Sequence, residues 1–289
     1  MAEIKKVGVL GAGMMGSDIS LVCAMAGYDV LMKEINLELA QAGHDKIAAG
    51  LTKWIEKGKI KLDDAGKQKI LDSIKPTDSY DGFEDVDLVI EAIIEDIPLK
   101  EKTFQELEKI CKPTCIIASN TSSISITKLG ACFSDAGRAA KFVGTHFFSP
   151  ASIMKLVEVI KGEETSEETM DVALNFCKSI DKEPIRVVDC VGFVINRILY
   201  ALNNEAIRLY EEGIASLEDI DKGCRLGLGH PVGPFALMDI TANDLNLKVG
   251  KILHEGYGDR FHPRPTLVKK VDAGHFGRKT GKGWFDYSK

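Results

Sequence analysis

Two titratable side chains stand where apolar ones are expected. The runs Phe142-Val143-Gly144-Thr145-His146-Phe147-Phe148 and Met154-Lys155-Leu156-Val157-Glu158-Val159-Ile160 both read as strands. Alternation puts Glu158 on the face of Met154, Leu156 and Ile160, and His146 on that of Phe142 and Gly144. A carboxylate on an apolar face is costly unless partnered, so His146 is the obvious partner if the strands are neighbours. A carboxylate on one imidazole nitrogen fixes the tautomer and raises the basicity of the other. That suits a general base removing an alcohol proton. The same two residues would also make a purely structural pair, and residue chemistry alone leaves both readings open.

A second candidate is Gly11-Ala12-Gly13-Met14-Met15-Gly16, a G-x-G-x-x-G turn after the apolar run Val7-Gly8-Val9-Leu10. Gly11 permits a tight turn, Gly13 lets backbone approach a pyrophosphate, and Gly16 allows close helix packing. The following helix would turn its unpaired N–H groups to the phosphates. Glu34 lies eighteen residues beyond Gly16, after a second strand at Asp29 to Met32. There a carboxylate would accept from ribose hydroxyls and repel a 2′-phosphate, which favours NAD over NADP; Lys33 beside it tempers that preference. The competing reading is a glycine turn with a surface glutamate.

Ser122 follows a strand at Cys115 to Ala118, in the polar run Ser119-Asn120-Thr121-Ser122-Ser123. Ligands in doubly wound sheets bind beyond the carboxyl ends of strands, although such a run could equally cap the next helix. Asn196 opens an amphipathic stretch from Val194 to Leu209, and spacing alone does not single it out. Asn120-Thr121-Ser122 matches a glycosylation sequon only by chance, and Gly277 to Gly283 resembles a P-loop but has the wrong glycine spacing. The latter reads as a basic surface turn.

These residues need a scaffold. Strands alternate with helices through position 188: a charged helical pair over 36–73, a strand at Asp87 to Ala92, a helix opened by Pro98, strands near 141–147 and 154–160, a helix over 166–180 and a last strand at 185–188. The pattern predicts an α/β fold: a Rossmann-like doubly wound domain over 1–188, then an all-helical domain over 189–289.

Composition narrows the function classes. The 289 residues are 28% charged and 45% hydrophobic with a net charge of -6, enough apolar content for a core. An acidic chain argues against nucleic-acid binding, and no eighteen-residue apolar run argues against a membrane span. Met1 to Lys6 leads into a strand-like run without room for a signal peptide. Seven scattered cysteines without a C-x-x-C pair suggest reduced, mostly buried thiols in a cytoplasmic protein, with no metal site.

Taken together, the segments resemble the short-chain 3-hydroxyacyl-CoA dehydrogenase family over nearly the whole chain. The anchors are Gly11 to Gly16, Ser119 to Ser123, His146-Phe147-Phe148, Met154 to Ile160, Gly192-Phe193-Val194-Ile195-Asn196-Arg197, His230-Pro231-Val232-Gly233-Pro234 and Gly277 to Tyr287. The resemblance implies His146 as catalytic base, Glu158 as its orienting carboxylate, and Ser122 and Asn196 as residues holding the substrate's oxygens. It also implies NAD contacts from Glu34, Glu95, Lys100 and Ser122, CoA-phosphate contacts from Lys57 and Lys53, and a homodimer formed by the helical domain. Gly50 stands where some members carry serine. Three departures are visible: Ser149 replaces the asparagine of the usual H-F-F-N-P and so bears on nicotinamide positioning, Ala236 replaces an acid, and Ile240-Thr241-Ala242-Asn243-Asp244 departs from a glycine-leucine-aspartate run. The expected activity is NAD-dependent interconversion of 3-hydroxyacyl-CoA and 3-oxoacyl-CoA. The alternatives are a relative acting on a non-CoA hydroxy acid such as carnitine, and a non-catalytic NAD-binding protein.

Overall fold

The computed structural model describes residues 4–288, so the reading of Met1 to Glu3 lies outside the described residues. The chain divides into two compact units, Met1–Asp189 and Cys190–Lys289.

The first unit is built on one eight-stranded sheet of order β3-β2-β1-β4-β5-β6-β7-β8. Its elements are β1 (Lys6–Leu10), α1 (Met14–Met25), β2 (Asp29–Lys33), α2 (Leu37–Glu56), α3 (Asp64–Asp72), β3 (Ile74–Thr77), β4 (Leu88–Glu91), α4 (Ile97–Ile110) and β5 (Ile116–Ser119). They continue with α5 (Ile126–Gly130), α6 (Ala136–Ala139), β6 (Phe142–Phe147), β7 (Leu156–Lys161), α7 (Glu167–Ser179) and β8 (Glu183–Val188). Every pairing is parallel except β6 with β7. The order reverses between β1 and β4, the switch point where a doubly wound sheet opens a crevice. The central strands are apolar throughout because helices cover both faces; Val7, Val9, Leu88, Ile90, Ile117 and Val143 are all buried.

The expected helical pair over 36–73 is α2 and α3. The strand that pattern reading passes over is β3. It pairs only with β2, holds one buried residue, Ile74, and contains Pro76, which lacks a donor and is tolerated because this is an edge.

The second unit holds α8 (Ile195–Glu211), α9 (Leu217–Gly227), α10 (Pro234–Thr241), α11 (Asn243–Tyr257) and α12 (Pro265–Asp272). Its only strand-like pairings among the described residues are isolated bridges over 277–286, consistent with an all-helical domain. Phe235, Met238, Ile207, Leu267 and Trp284 form its core. The P-loop-like run is a short 3-10 turn, Arg278–Thr280, packed on α10 through Gly277. Among the described residues no helix is long and apolar enough to cross a membrane.

Candidate active site

Sheet register places four strand ends side by side. Leu10 pairs with Glu91, Glu91 with Ser119, and Ser119 with Gly144, two residues before His146. The turn after β1, the end of β4, the loop after β5 and the end of β6 therefore share the carboxyl edge of the sheet.

At β1, Gly11 has a φ of +97°, and a Cβ there would lie 2.6 Å from the Ala92 carbonyl oxygen. A Cβ at Gly16 would collide with the Gly11 carbonyl, so Gly16 lets α1 close onto the turn itself rather than onto the sheet. At Gly13 a Cβ would meet nothing within 4 Å, leaving an open cradle. Gly13 is also the N-cap of α1, which has no side-chain cap and no acid in its first turn. The helix begins at Met14 and Met15, so its first amides face the cradle in the manner an anion requires. Ala12 is buried, and Ser17 donates to its carbonyl at 2.9 Å.

Glu34, just past β2, accepts from the Ile35 amide at 2.6 Å through Oε2. The Lys33 ammonium lies over the Tyr80 ring, 4.5 Å from its centroid, and donates to the Glu34 carbonyl. That position occupies the cation expected to temper the preference for NAD.

His146 and Glu158 face each other across the antiparallel β6–β7 pair. Imidazole Nδ1 is 2.7 Å from Glu158 Oε2, and the two residues are only 5% and 0% exposed. A fully buried carboxylate at that distance takes Nδ1–H as its donor, which makes Nε2 the basic nitrogen. The Phe148 ring packs against the imidazole at a centroid separation of 4.6 Å.

The Ser119–Ser122 loop is anchored residue by residue. Ser119 Oγ donates to Glu91 Oε2 at 2.7 Å, and the Asn120 amide donates to the Glu91 carbonyl at 2.8 Å. Asn120 Oδ1 accepts from the Phe147 amide at 2.9 Å, tying the loop to the residue after His146. Thr121 Oγ1 and the Ser122 amide both donate to Glu95 Oε1, at 2.9 and 2.7 Å. The loop is not a helix cap: α5 is capped by Ser125, which accepts from the Lys128 amide and donates to Asp189. Asn120 is thus engaged as a loop tether, in line with the sequon being a coincidence.

Lys100 is 1% exposed. Its ammonium is 2.5 Å from Glu91 Oε1, 3.4 Å from Glu95 Oε2 and 3.5 Å from the Ile93 carbonyl. Burial pushes the Glu91 carboxyl up, against the pull of Lys100, Ser119 and the Ile93 amide. Sequence reading missed Glu91, Asn120 and Thr121. The signal for Glu91 was available, since it is a carboxylate ending an apolar strand as Glu158 is within one.

Lys53 and Lys57 are exposed at the last turn and C-cap of α2. A side chain at nearby Gly50 would meet nothing within 4 Å, so a serine would fit there. Ser149 Oγ lies 3.8 Å from Met14 Sδ, a weak contact at the mouth of the glycine turn. In the second unit, Asn196 lies in the first turn of α8 and lines a small cavity with Leu199, Tyr200, Thr241 and Asn246.

The family models for the NAD-binding domain and the C-terminal domain of 3-hydroxyacyl-CoA dehydrogenase match residues 6–190 and 192–287. The chain belongs to the 3-hydroxyacyl-CoA dehydrogenase family. It is 42% identical over 289 residues to the 3-hydroxybutyryl-CoA dehydrogenase of Clostridioides difficile, covering 98% of this chain and all of that one. A probable 3-hydroxybutyryl-CoA dehydrogenase of Deinococcus radiodurans is 43% identical, at 98% and 100% coverage. The crystal structure of the (S)-3-hydroxybutyryl-CoA dehydrogenase of Ralstonia eutropha superposes with a TM-score of 0.94 at 43% identity, over 99% of this chain and 100% of that one.

This dehydrogenase is therefore an NAD-dependent oxidoreductase of 3-hydroxyacyl-CoA. The residues present fit the dinucleotide: an open cradle at Gly13, an uncapped helix start and a carboxylate at Glu34. Within the departure from the family pattern over Ile240 to Asp244, Ala242 has a φ of +78°. That left-handed backbone strains any residue with a Cβ. Asn243 is fully buried, donating to Asp239 and the His275 carbonyl and accepting from Trp284 Nε1.

Proposed function

We propose that this dehydrogenase acts on short 3-hydroxyacyl-CoA thioesters such as 3-hydroxybutyryl-CoA, oxidising them to the 3-oxo thioester and running the reverse reduction. The observation that carries the reading is the buried His146–Glu158 pair beside the dinucleotide cradle. His146 Nε2 takes the substrate's hydroxyl proton, while its Nδ1–H stays with Glu158, whose charge stabilises the imidazolium that forms. NAD, when bound, supplies the hydride acceptor for C3. Ser122 and Asn196 hold the substrate's oxygens, and Lys53 and Lys57 meet the CoA phosphates. Gly11, Gly13 and Gly16 admit the pyrophosphate, Glu34 takes the ribose, and Glu95 and Ser149 border the nicotinamide end.

The working form is a homodimer in the cytoplasm. In its support, Ile198, Ile214, Leu226 and Leu228 of the helical unit are exposed apolar side chains, and all seven cysteines are free thiols, four of them buried. Initial rates over a series of acyl-CoA chain lengths, with NADH and NADPH, test the reading. Turnover of a free hydroxy acid such as carnitine in place of the thioesters would overturn the substrate class. Absence of turnover with any of them would favour a non-catalytic binder.

A further inference from the structure

Burying a lysine beside a glutamate is an expensive way to hold a sheet to a helix, because well-packed apolar side chains serve as well. Glu91 at the end of β4 and Lys100 on α4 are nevertheless 0% and 1% exposed. The third partner explains the arrangement. Lys100 has three donors, and its three acceptors are Glu91, the Ile93 carbonyl and Glu95. Glu95 sits between β4 and α4, outside both, and is partly exposed, so nothing in its own segment fixes its rotamer. Its second oxygen holds Thr121 and the Ser122 amide. Thr121, in turn, accepts from the Ser123 and Ile124 amides, at 3.3 and 3.0 Å, and so fixes the turn on the far side of Ser122. The Glu91 carboxylate also accepts from Ser119 Oγ, while its backbone carbonyl accepts from the Asn120 amide and Asn120 Oδ1 from that of Phe147.

We infer that Glu91 and Lys100 are positioning residues for the reaction. The buried pair, seated on two rigid elements, sets Glu95. Glu95 and Thr121 then set Ser122, while the Glu91 carboxylate through Ser119 Oγ anchors the strand end from which that loop leaves. The inference rests on the proposed role of Ser122 and His146 at the substrate's oxygen. Misplacement of such a group by about an ångström costs on the order of 10² in rate, so the relay has kinetic consequences that stability does not report.

A double-mutant cycle on the full-length protein tests it. Ser122→Ala is measured alone, with Glu91→Gln/Lys100→Met alone, and with all three changes together. The pair variant should lower kcat by about 10–10². Added to Ser122→Ala it should cost much less than the product of the separate losses, because both act through one residue. Multiplicative losses, or normal kcat in the folded pair variant, overturn the inference; so does a rise in the NADH KM at normal kcat, which would place Lys100 on the cofactor. If the pair variant does not fold, Thr121 decides. Thr121→Val should lower kcat non-additively with Ser122→Ala, and Thr121→Ser should restore it; additive or absent effects overturn the relay. Normal kcat in Ser122→Ala itself would instead overturn the assigned role of Ser122, a result visible before the cycle is closed.

Discussion

The Glu158→Gln and His146→Ala substitutions separate a catalytic pair from a structural one. Glutamine has nearly the shape of glutamate, and the site is fully buried, so the amide stays within reach of Nδ1. Turned with its oxygen to the ring, it preserves the tautomer and loses only charge. Turned with its nitrogen to the ring, it donates to Nδ1 and moves the proton to Nε2, leaving no base. At the 2.7 Å separation the bond is charge-assisted, and such bonds contribute about 1.5–3 kcal/mol. Most of that is realised when the imidazolium forms. At about 1.4 kcal/mol per decade, Glu158→Gln should lower kcat by roughly 10–10². His146→Ala removes the base itself and should lower kcat by about 10²–10⁴. Neither residue belongs to the glycine turn or to Glu34, so the KM for NADH should hardly move.

Steady-state rates of 3-oxoacyl-CoA reduction, followed by NADH absorbance, give these numbers, with folding checked by circular dichroism and melting. A structural pair would show the opposite division: both variants would melt earlier, and the folded fraction would turn over normally. Near-normal kcat in folded His146→Ala refutes the mechanism.

Other consequences are independent of this pair. Glu34→Ser should narrow the preference for NADH over NADPH in paired kcat/KM measurements, because it removes both the ribose acceptor and the repulsion of a 2′-phosphate; equal use of both cofactors by the unaltered protein would refute the assignment. Gly13→Ala should melt normally yet bind NADH at least tenfold more weakly by calorimetric titration, since its Cβ meets only the cradle, whereas Gly16→Ala should lose stability as well because its Cβ meets the Gly11 carbonyl. In the helical unit, burial pushes the Glu211 carboxyl up, but bonds from Thr266 and Arg264 outweigh it and hold the group below its ordinary value. A lowered carboxylate stabilises the fold above its unfolded pKa and ceases to do so as pH falls through the folded value. Glu211→Gln should therefore cost about 1–3 kcal/mol at neutral pH and progressively less in acid, in denaturant titrations across that range.

Much of the first unit is legible because its strands are buried on both faces. Val7 to Leu10, Leu88 to Glu91 and Ile116 to Ser119 appear as short apolar runs, and the helices between them set a parallel sheet. The strand β3 is hidden for the complementary reason: at an edge it needs no continuous apolar run and it admits Pro76. The second unit is less legible. Asn196 has no local signature, because a polar residue in the first turn of an amphipathic helix is ordinary. Asn243 is likewise invisible as a buried residue until Asp239, Trp284 and the His275 carbonyl are seen around it.

The cost of burying charge points to the candidate pair without any motif. Glu158 draws attention because alternation places a carboxylate among apolar neighbours, and the partner it requires is His146. Glu91 satisfies the same criterion at the end of β4, but it reads as the polar end of a strand, and its partner Lys100 lies on an amphipathic helix where lysine is commonplace. Both glutamates have donors brought to them: the His146 imidazole to Glu158, and Lys100, Ser119 and the Ile93 amide to Glu91. An imidazole is a partner that can take up and release a proton, so on the proposed mechanism Glu158 is coupled to proton transfer. The donors to Glu91 come from α4, from β5 and from the turn after β4, so its carboxylate ties those three segments together. On the proposed mechanism the two buried acids divide the work by environment, one tuning a base and the other holding the loop after β5, and that division is encoded in their neighbours rather than in the residues themselves.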